Sequence, residues 1–130
     1  MRRPRISLAL ALSALFAISA TAWAAGALDG KTFAGQVGEK GMSQGDPDTL
    51  VFKDGKFRST ACDKYGFGDT PYTTKVDKAV TTVEAKTTNA KGETMVWTLS
   101  VFGVEMRGKA LYEVPGKEPT TYWVRAKLTK

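Results

Sequence analysis

The chain has 130 residues, with 42% of them hydrophobic, 25% charged, and a formal net charge of +6. It contains no histidine and one cysteine, Cys62. These counts exclude an internal disulfide framework and any nucleophilic site in which histidine is the base. We therefore predict that the protein is not an enzyme, and no motif in the chain predicts a cofactor.

The first 24 residues have the order of a secretory signal peptide. Arginines at positions 2, 3 and 5 precede an uninterrupted run of apolar and small residues over 6–20. Ala22-Trp23-Ala24 then offers the small–x–small pattern that signal peptidase cleaves. We predict cleavage after Ala24 and export to the periplasm or outside the cell, with one mature domain at 25–130.

A retained membrane anchor is the alternative interpretation of this segment. The apolar stretch over 6–28 approaches the roughly 20 residues that span a bilayer. However, it is rich in alanine and serine, and a good cleavage site follows it. Cleavage is the favoured interpretation and leaves no stable membrane span.

The positive charge is partly a property of the signal peptide. Three of the nineteen basic residues lie there, which leaves sixteen basic against thirteen acidic residues, a net charge of +3. The remaining lysines are scattered and form no run of four. Nucleic-acid binding needs a concentrated basic stripe, so the sequence predicts no nucleic-acid partner.

From residue 31 onward the apolar residues alternate with polar ones, as in an all-β meander. A first strand over 32–37 carries Phe33, Gly35 and Val37 on one face. The clearest hairpin covers 49–60, where Asp54-Gly55 supplies a two-residue turn. It pairs Leu50 with Ser59 and Phe52 with Phe57 on one face, and Val51 with Arg58 and Lys53 with Lys56 on the other.

Three further elements follow. Strands over 71–76 and 79–88 are predicted to pair around Asp77-Lys78, and 89–92 is a turn. A hairpin with its turn at Phe102-Gly103 pairs Val101 with Val104, Leu99 with Met106, Trp97 with Gly108, and Met95 with Ala110. The last strand covers 120–128. A five-residue connection pairs Tyr122 with Tyr112 inside and leaves Trp123 outside beside Leu111, whereas a four-residue connection buries Trp123.

These segments predict eight antiparallel strands. An open sheet of that size exposes two edges, so we predict an up-and-down barrel, with a β-sandwich as the alternative. The predicted inward side chains are Phe33, Val37, Leu50, Phe52, Phe57, Tyr72, Val76, Val83, Met95, Trp97, Leu99, Val101, Val104, Met106, Tyr112, Tyr122, Val124 and Leu128.

Two long connections, over 38–48 and 61–70, are the places where a site could form. The second contains Cys62, Tyr65 and Phe67. Lys64 would lower the pKa of the Cys62 thiol if it approached in space. The favoured interpretation is a buried plug at one barrel end, ahead of a reactive thiol or an intermolecular disulfide.

The first connection holds Asp46-Pro47-Asp48 with Glu39 nearby. These oxygens are too few, and wrongly spaced, for a known calcium loop. We predict a solvated loop and no metal site.

An eight-stranded barrel can be filled by side chains or hold one small ligand. Space at one mouth is predicted near Trp97, Gly108, Tyr112 and Tyr122, where tyrosine hydroxyls could orient an apolar ligand. Phe102, Leu111 and Trp123 are apolar side chains predicted outside, where they would form a protein contact if they lay together. The sequence leaves the oligomeric state open.

Three segments resemble the lipocalin-like (calycin) group of small secreted β-barrels: residues 28–33, the Asp54-Gly55 hairpin, and residues 122–125. In that resemblance Phe33 is the aromatic at the start of the barrel and Arg125 its partner on the last strand. The segments over 52–57 and 62–67 also resemble exported bacterial proteins of uncharacterised activity. The resemblance implies a small exported β-barrel with an envelope location and no known activity.

The expected function is thus a non-enzymatic periplasmic or secreted binding module for a small apolar ligand at the barrel mouth. The alternative is a protein-interaction or inhibitor barrel of the cell envelope that uses its loop tips.

Overall fold

The computed structural model describes residues 23–130, and the predicted signal peptide lies almost entirely outside them. Within this range there are nine strands and one 3₁₀ helix, Thr60–Tyr65. The strands are β1 Ala24–Ala25, β2 Thr32–Glu39, β3 Asp46–Lys53, β4 Lys56–Ser59, β5 Asp69–Asp77, β6 Val80–Thr88, β7 Thr94–Phe102, β8 Glu105–Glu113 and β9 Thr120–Leu128.

Strands β2 to β9 form the predicted eight-stranded up-and-down barrel. Each of them pairs antiparallel with the next along the chain. Pairing of β2 with β9, from Phe33 opposite Leu128 to Glu39 opposite Tyr122, closes the circle. Closure gives the edges of the first and last strands a partner, so the barrel prediction is confirmed over the sandwich.

The ninth strand, β1, was not predicted and lies outside the barrel circle. Because β4 is only four residues long, it pairs with Asp69–Pro71 at the start of β5. The second half of β5 therefore has no β4 residue to pair with on that edge. Ala24 and Ala25 pair there with Thr74 and Thr73. β1 thus continues the row of hydrogen bonds that β4 begins.

The β3–β4 hairpin is formed as predicted. Asp54 and Gly55 have φ angles of 52° and 74°, which a type I′ turn requires at both central positions. Phe52 lies opposite Phe57, and the predicted register holds along the whole pair.

The predicted register of the β7–β8 hairpin is wrong by two residues. The turn is Gly103-Val104, so Trp97 lies opposite Ala110 and Gly108 lies opposite Leu99. Gly103 takes a φ of 59° at the first central position, where a II′ turn needs glycine. A register shift of two residues keeps every strand residue on its predicted face. Val104, which was predicted inside, instead lies in the turn and is exposed.

The β5–β6 turn is also displaced by one residue, to Lys78-Ala79, and Lys78 has a φ of 56°. Val76 pairs with Thr81 near this turn. It was predicted inside, but 58% of it is exposed because it lies at the rim of the barrel.

The last strand has its predicted bounds, and Tyr122 packs against the core while Trp123 lies outside. Tyr112 pairs with Thr120 and not with Tyr122, which is again a slip of two. Trp123 lies over Gly38, where an added Cβ would be 2.2 Å from the ring. Its Nε1 donates to the Met42 carbonyl at 2.8 Å. On β8 the neighbour of Trp123 is Lys109. The prediction that Trp123 lies beside Leu111 is therefore wrong.

The core fills the closed half of the barrel with aromatic rings. Phe52 packs against Phe33, Phe57 and Tyr72 with ring centroids 4.8–6.0 Å apart. Most of the predicted inward residues are buried. The buried apolar residues outside that list are Leu28, Ala85, Ala110, Ala126 and Phe67, and Phe67 belongs to the predicted plug.

The barrel end with short turns is closed by the segment before β2. Leu28 is buried there, and its backbone N donates to the Tyr72 hydroxyl at 2.8 Å. Asp29 accepts a hydrogen bond from Tyr72 and from the backbone N of Gly55. The other end, with the long connections, is the one at which a cavity forms.

Candidate functional site

The end of the barrel with the long connections encloses a cavity of about 600 Å³. Volumes in this range are typical of small-molecule sites. Its wall combines inward strand residues with residues of the 3₁₀ helix and the loop that follows. The lining residues are Val37, Asp46, Pro47, Asp48, Ala61, Cys62, Lys64, Tyr65, Phe67, Met95, Tyr112 and Tyr122.

A buried carboxylate, Asp48, lies in the wall of this cavity. Asp48 is 7% exposed, and it accepts hydrogen bonds from the Ser59 hydroxyl and from the backbone N of Ala61. Burial raises the pKa of Asp48, and these hydrogen bonds oppose part of the shift. The bonds tie the first turn of the 3₁₀ helix to β3, so the same carboxylate positions the cavity wall.

Cys62 is half-buried on the same 3₁₀ helix. Burial raises the pKa of its thiol, a hydrogen bond with Ser59 lowers it, and the charge of Asp48 raises it. Lys64 does not contribute to this shift. The thiol is therefore protonated near neutral pH and is a weak nucleophile.

The outer side of the 3₁₀ helix is held by an ion pair. Both Arg58 Nε and Arg58 Nη2 donate to the Asp63 carboxylate. This pair lowers the pKa of Asp63. A bidentate contact of this kind fixes the helix orientation against β4.

Tyr112 is held by a hydrogen-bonded chain at the rim. Its hydroxyl donates to Glu93, and this bond raises the pKa of Tyr112 to about 12. Asn89 donates to Glu93 at 2.8 Å and to the Tyr65 carbonyl at 3.1 Å. The chain connects the β6–β7 loop to the end of the 3₁₀ helix, so the Tyr112 ring has a defined position.

Four aromatic residues form part of the apolar wall. Phe67 is buried and meets the Tyr112 ring edge-on at 6.3 Å. Tyr122 is partly buried, and burial together with Glu39 raises its pKa. Tyr65 is 62% exposed at the opening, with Lys64 Nζ 5.2 Å from its ring centroid.

The structure brings together five of the six predicted ligand-binding residues: Cys62, Tyr65, Phe67, Tyr112 and Tyr122. The sixth, Trp97, is fully buried beneath them against Phe57 and does not line the cavity. Gly108, predicted beside it, lies opposite Leu99. The segment that was predicted to plug the barrel end also forms part of the cavity wall. Within it Phe67 is buried, whereas Tyr65 lies exposed at the opening.

Sequence reasoning missed Asp48 and Met95 as parts of the wall. Asp48 was assigned to a solvated loop. The strand β3 instead begins at Asp46, so Asp48 lies on the same inward face as Leu50 and Phe52. The alternation of inward and outward positions over 48–52 is the pattern from which this position could have been predicted. Met95 was predicted inside but was not connected with the mouth.

The three predicted contact residues do not form one patch. Phe102 is 63% exposed at the closed end of the barrel. Leu111 and Trp123 lie near the cavity end on the outer faces of β8 and β9, where Leu111 pairs with Thr121. The Arg125 guanidinium covers the Trp123 ring at 4.7 Å, so little of its face is open.

Residues 23–130 hold no group of three histidine, cysteine, aspartate or glutamate side chains placed to bind a metal ion. No helix among the described residues is long and apolar enough to cross a bilayer.

Comparison of the chain with protein-family models, with curated proteins and with solved structures returned no match.

Proposed function

We propose that this chain is a non-enzymatic binding protein of the periplasm or the secreted fraction, which holds a small apolar ligand in the cavity. The observation that carries the proposal is the 600 Å³ space in a barrel whose other end is closed. Its wall places phenol hydroxyls beside apolar side chains, the combination that orients a small ligand without reacting with it. The lipocalin-like resemblance and the signal-peptide pattern support the same assignment.

The groups of the cavity favour binding over chemistry. The Cys62 thiol is protonated near neutral pH, and its charged neighbours are carboxylates. The Tyr112 hydroxyl already donates its proton to Glu93, so it can take part in a further hydrogen bond as an acceptor. Cys62 and Tyr112 thus provide neither a nucleophile nor a general base, and the carboxylate of Asp48 already accepts hydrogen bonds from Ser59 and Ala61.

The test combines native mass spectrometry of protein from its own periplasm with calorimetric titration of a neutral probe, octanol. We expect a co-purifying small molecule, and octanol binding that is lost when Val37→Phe fills the cavity. Val76→Phe adds the same side chain at the closed end and is the matched control. Absence of both a bound molecule and octanol binding would refute the proposal.

The second candidate function is a protein-interaction barrel, and the exposed tip of the β7–β8 hairpin favours it. Phe102 and Val104 are 63% and 58% exposed at this turn. The same mass spectra test it, because a protein partner would appear as a complex. Phe102→Ser would then dissociate the complex and leave octanol binding unchanged.

A further inference from the structure

We propose that the ligand of the cavity is an organic cation, an ammonium group attached to an apolar body. This inference rests on the binding function proposed above, and it adds the charge of the ligand. Three sets of observations support it: the carboxylates of the wall, the aromatic rings and the sign of the local charge.

The first set is the carboxylates. Asp46 and Asp48 both line the cavity, and Glu39 lies at the rim, where it pairs with Tyr122 across β2 and β9. The buried one, Asp48, receives hydrogen bonds from two neutral donors, the Ser59 hydroxyl and the Ala61 backbone N.

Asp48 also lacks a basic partner. Within residues 23–130 the salt bridge of the structure is Arg58–Asp63, on the outside of the barrel. A buried carboxylate without a cation is unusual, because desolvation of the charge is costly. An ammonium group in the cavity would lie beside this carboxylate and supply the missing countercharge.

The second set is the rings. Tyr65, Phe67, Tyr112 and Tyr122 surround the same space. Ring faces attract ammonium groups, and several rings around one site make the recognition of alkylated amines possible. Lys64 already shows this chemistry, since its Nζ lies 5.2 Å from the Tyr65 ring centroid. The Lys64 ammonium therefore competes for a ring that a cationic ligand would use.

The third observation is the sign of the charges that act on the inward groups. Burial raises the pKa of Tyr122 and of Cys62, and neighbouring carboxylates raise both further: Glu39 and Asp46 for Tyr122, Asp48 and Asp63 for Cys62. The lining contains two carboxyl groups, Asp46 and Asp48, and one basic side chain, Lys64. The balance of formal charge at the mouth is therefore negative, which favours a cation over an anion.

The experiment compares three probes that share one apolar chain: octylammonium, octanol and octanoate. Binding of each to the full mature protein is measured by calorimetry at neutral pH. We expect octylammonium to bind about tenfold more tightly than octanol, and octanoate to bind most weakly.

Variants assign the preference to the named groups. Asp48→Asn keeps the hydrogen-bond geometry and should remove most of the preference for octylammonium. Asp46→Asn, at an exposed position, should weaken octylammonium binding about twofold to fivefold.

Lys64→Gln should tighten octylammonium binding, because it removes the competing ammonium. Octanol affinity is measured for each variant beside octylammonium affinity, and the ratio of the two separates the effect of the charge from a change in the cavity itself. Asp77→Asn, at the closed end, is the matched control.

The outcomes separate the two proposals. If octanol and octylammonium bind equally, or octanoate binds best, the cation inference is overturned and the binding function stands. If the preference exists but survives Asp48→Asn and Asp46→Asn together, the assigned carboxylates are wrong and the inference fails. If none of the three probes binds, the binding function itself fails.

Discussion

The hydroxyl of Tyr72 donates a hydrogen bond of 2.7 Å to Asp29 and accepts one of 2.8 Å from the backbone N of Leu28. Tyr72 is buried on β5, while Leu28 and Asp29 belong to the segment that precedes β2. One side chain therefore joins the closing segment to the middle of the barrel. The segment covers the end at which the aromatic core fills the barrel, and the cavity lies at the opposite end.

Tyr72→Phe should destabilise the protein by about 1–3 kcal/mol, since the mutation leaves the buried backbone N of Leu28 without an acceptor. Urea unfolding followed by circular dichroism measures the change. Tyr65→Phe removes an exposed hydroxyl and should change the free energy of unfolding by less than about 0.5 kcal/mol. Equal stability of Tyr72→Phe and the parent would contradict the assigned role.

Gly35→Ala and Gly38→Ala should both destabilise the protein, but by different amounts. A Cβ at Gly35 would lie 1.9 Å from the backbone O of Arg125, whereas one at Gly38 would meet the Trp123 ring. Backbone cannot move away without breaking the β2–β9 pairing, but a side chain can rotate. We expect losses of about 3 kcal/mol for Gly35→Ala and about 1 kcal/mol for Gly38→Ala.

The indole N–H signal of Trp123 in NMR spectra is the second readout for these variants. Gly38→Ala should shift it, because displacement of the ring breaks the bond to the Met42 carbonyl. The signal should stay in place if the ring does not lie over Gly38, and that result would contradict the structure of this face.

Thr87→Val should stabilise the protein by about 1 kcal/mol. The Thr87 hydroxyl is buried and has no hydrogen-bond partner among the described residues. Valine has the same shape, so the substitution removes the cost of a buried polar group without changing the packing. Thermal unfolding measures the effect.

Thr74→Val is the control for this substitution. Thr74 is equally buried, but its hydroxyl donates to the Ala24 carbonyl at 3.4 Å, so both variants are made in protein that retains Ala24. The same replacement should therefore not stabilise the protein at this position. Stabilisation at Thr74 and not at Thr87 would reverse the interpretation.

Asp48→Asn should change the pH dependence of stability. Burial raises the pKa of Asp48 above its unfolded value of 3.8. The stabilising contribution of the protonated group is thus fully present below the unfolded pKa and is lost as the pH rises through the raised one. Asparagine keeps acceptor and donor atoms for Ala61 and Ser59 and carries no charge at any pH.

The stability of Asp48→Asn relative to the parent should therefore be highest near pH 7 and fall as the solution is acidified below the raised pKa. Urea titrations of both proteins between pH 3 and pH 7 at constant ionic strength measure this difference. A difference that grows on acidification would mean that Asp48 has a lowered pKa and a cationic partner.

The sequence alone determined which side of most strands faces inward. Alternation of apolar and polar residues is a local property, and it is sufficient for the faces of β3 and β7, whereas for β9 it left open whether Tyr122 or Trp123 faces inward. The Asp54-Gly55 turn was also predictable, because few residues adopt two successive positive φ angles. Strand number and closure followed from the lengths of the connections and from the need to cover sheet edges.

The tertiary structure decided the register of the other hairpins and the composition of the cavity. A slip of two residues preserves every face, so the pattern cannot distinguish Tyr112 opposite Thr120 from Tyr112 opposite Tyr122. The position of Asp48 beside Ser59 and Cys62 depends on three segments meeting at one barrel end. Such a meeting is a property of barrel closure and of the path of the 3₁₀ helix after β4, which no local pattern contains.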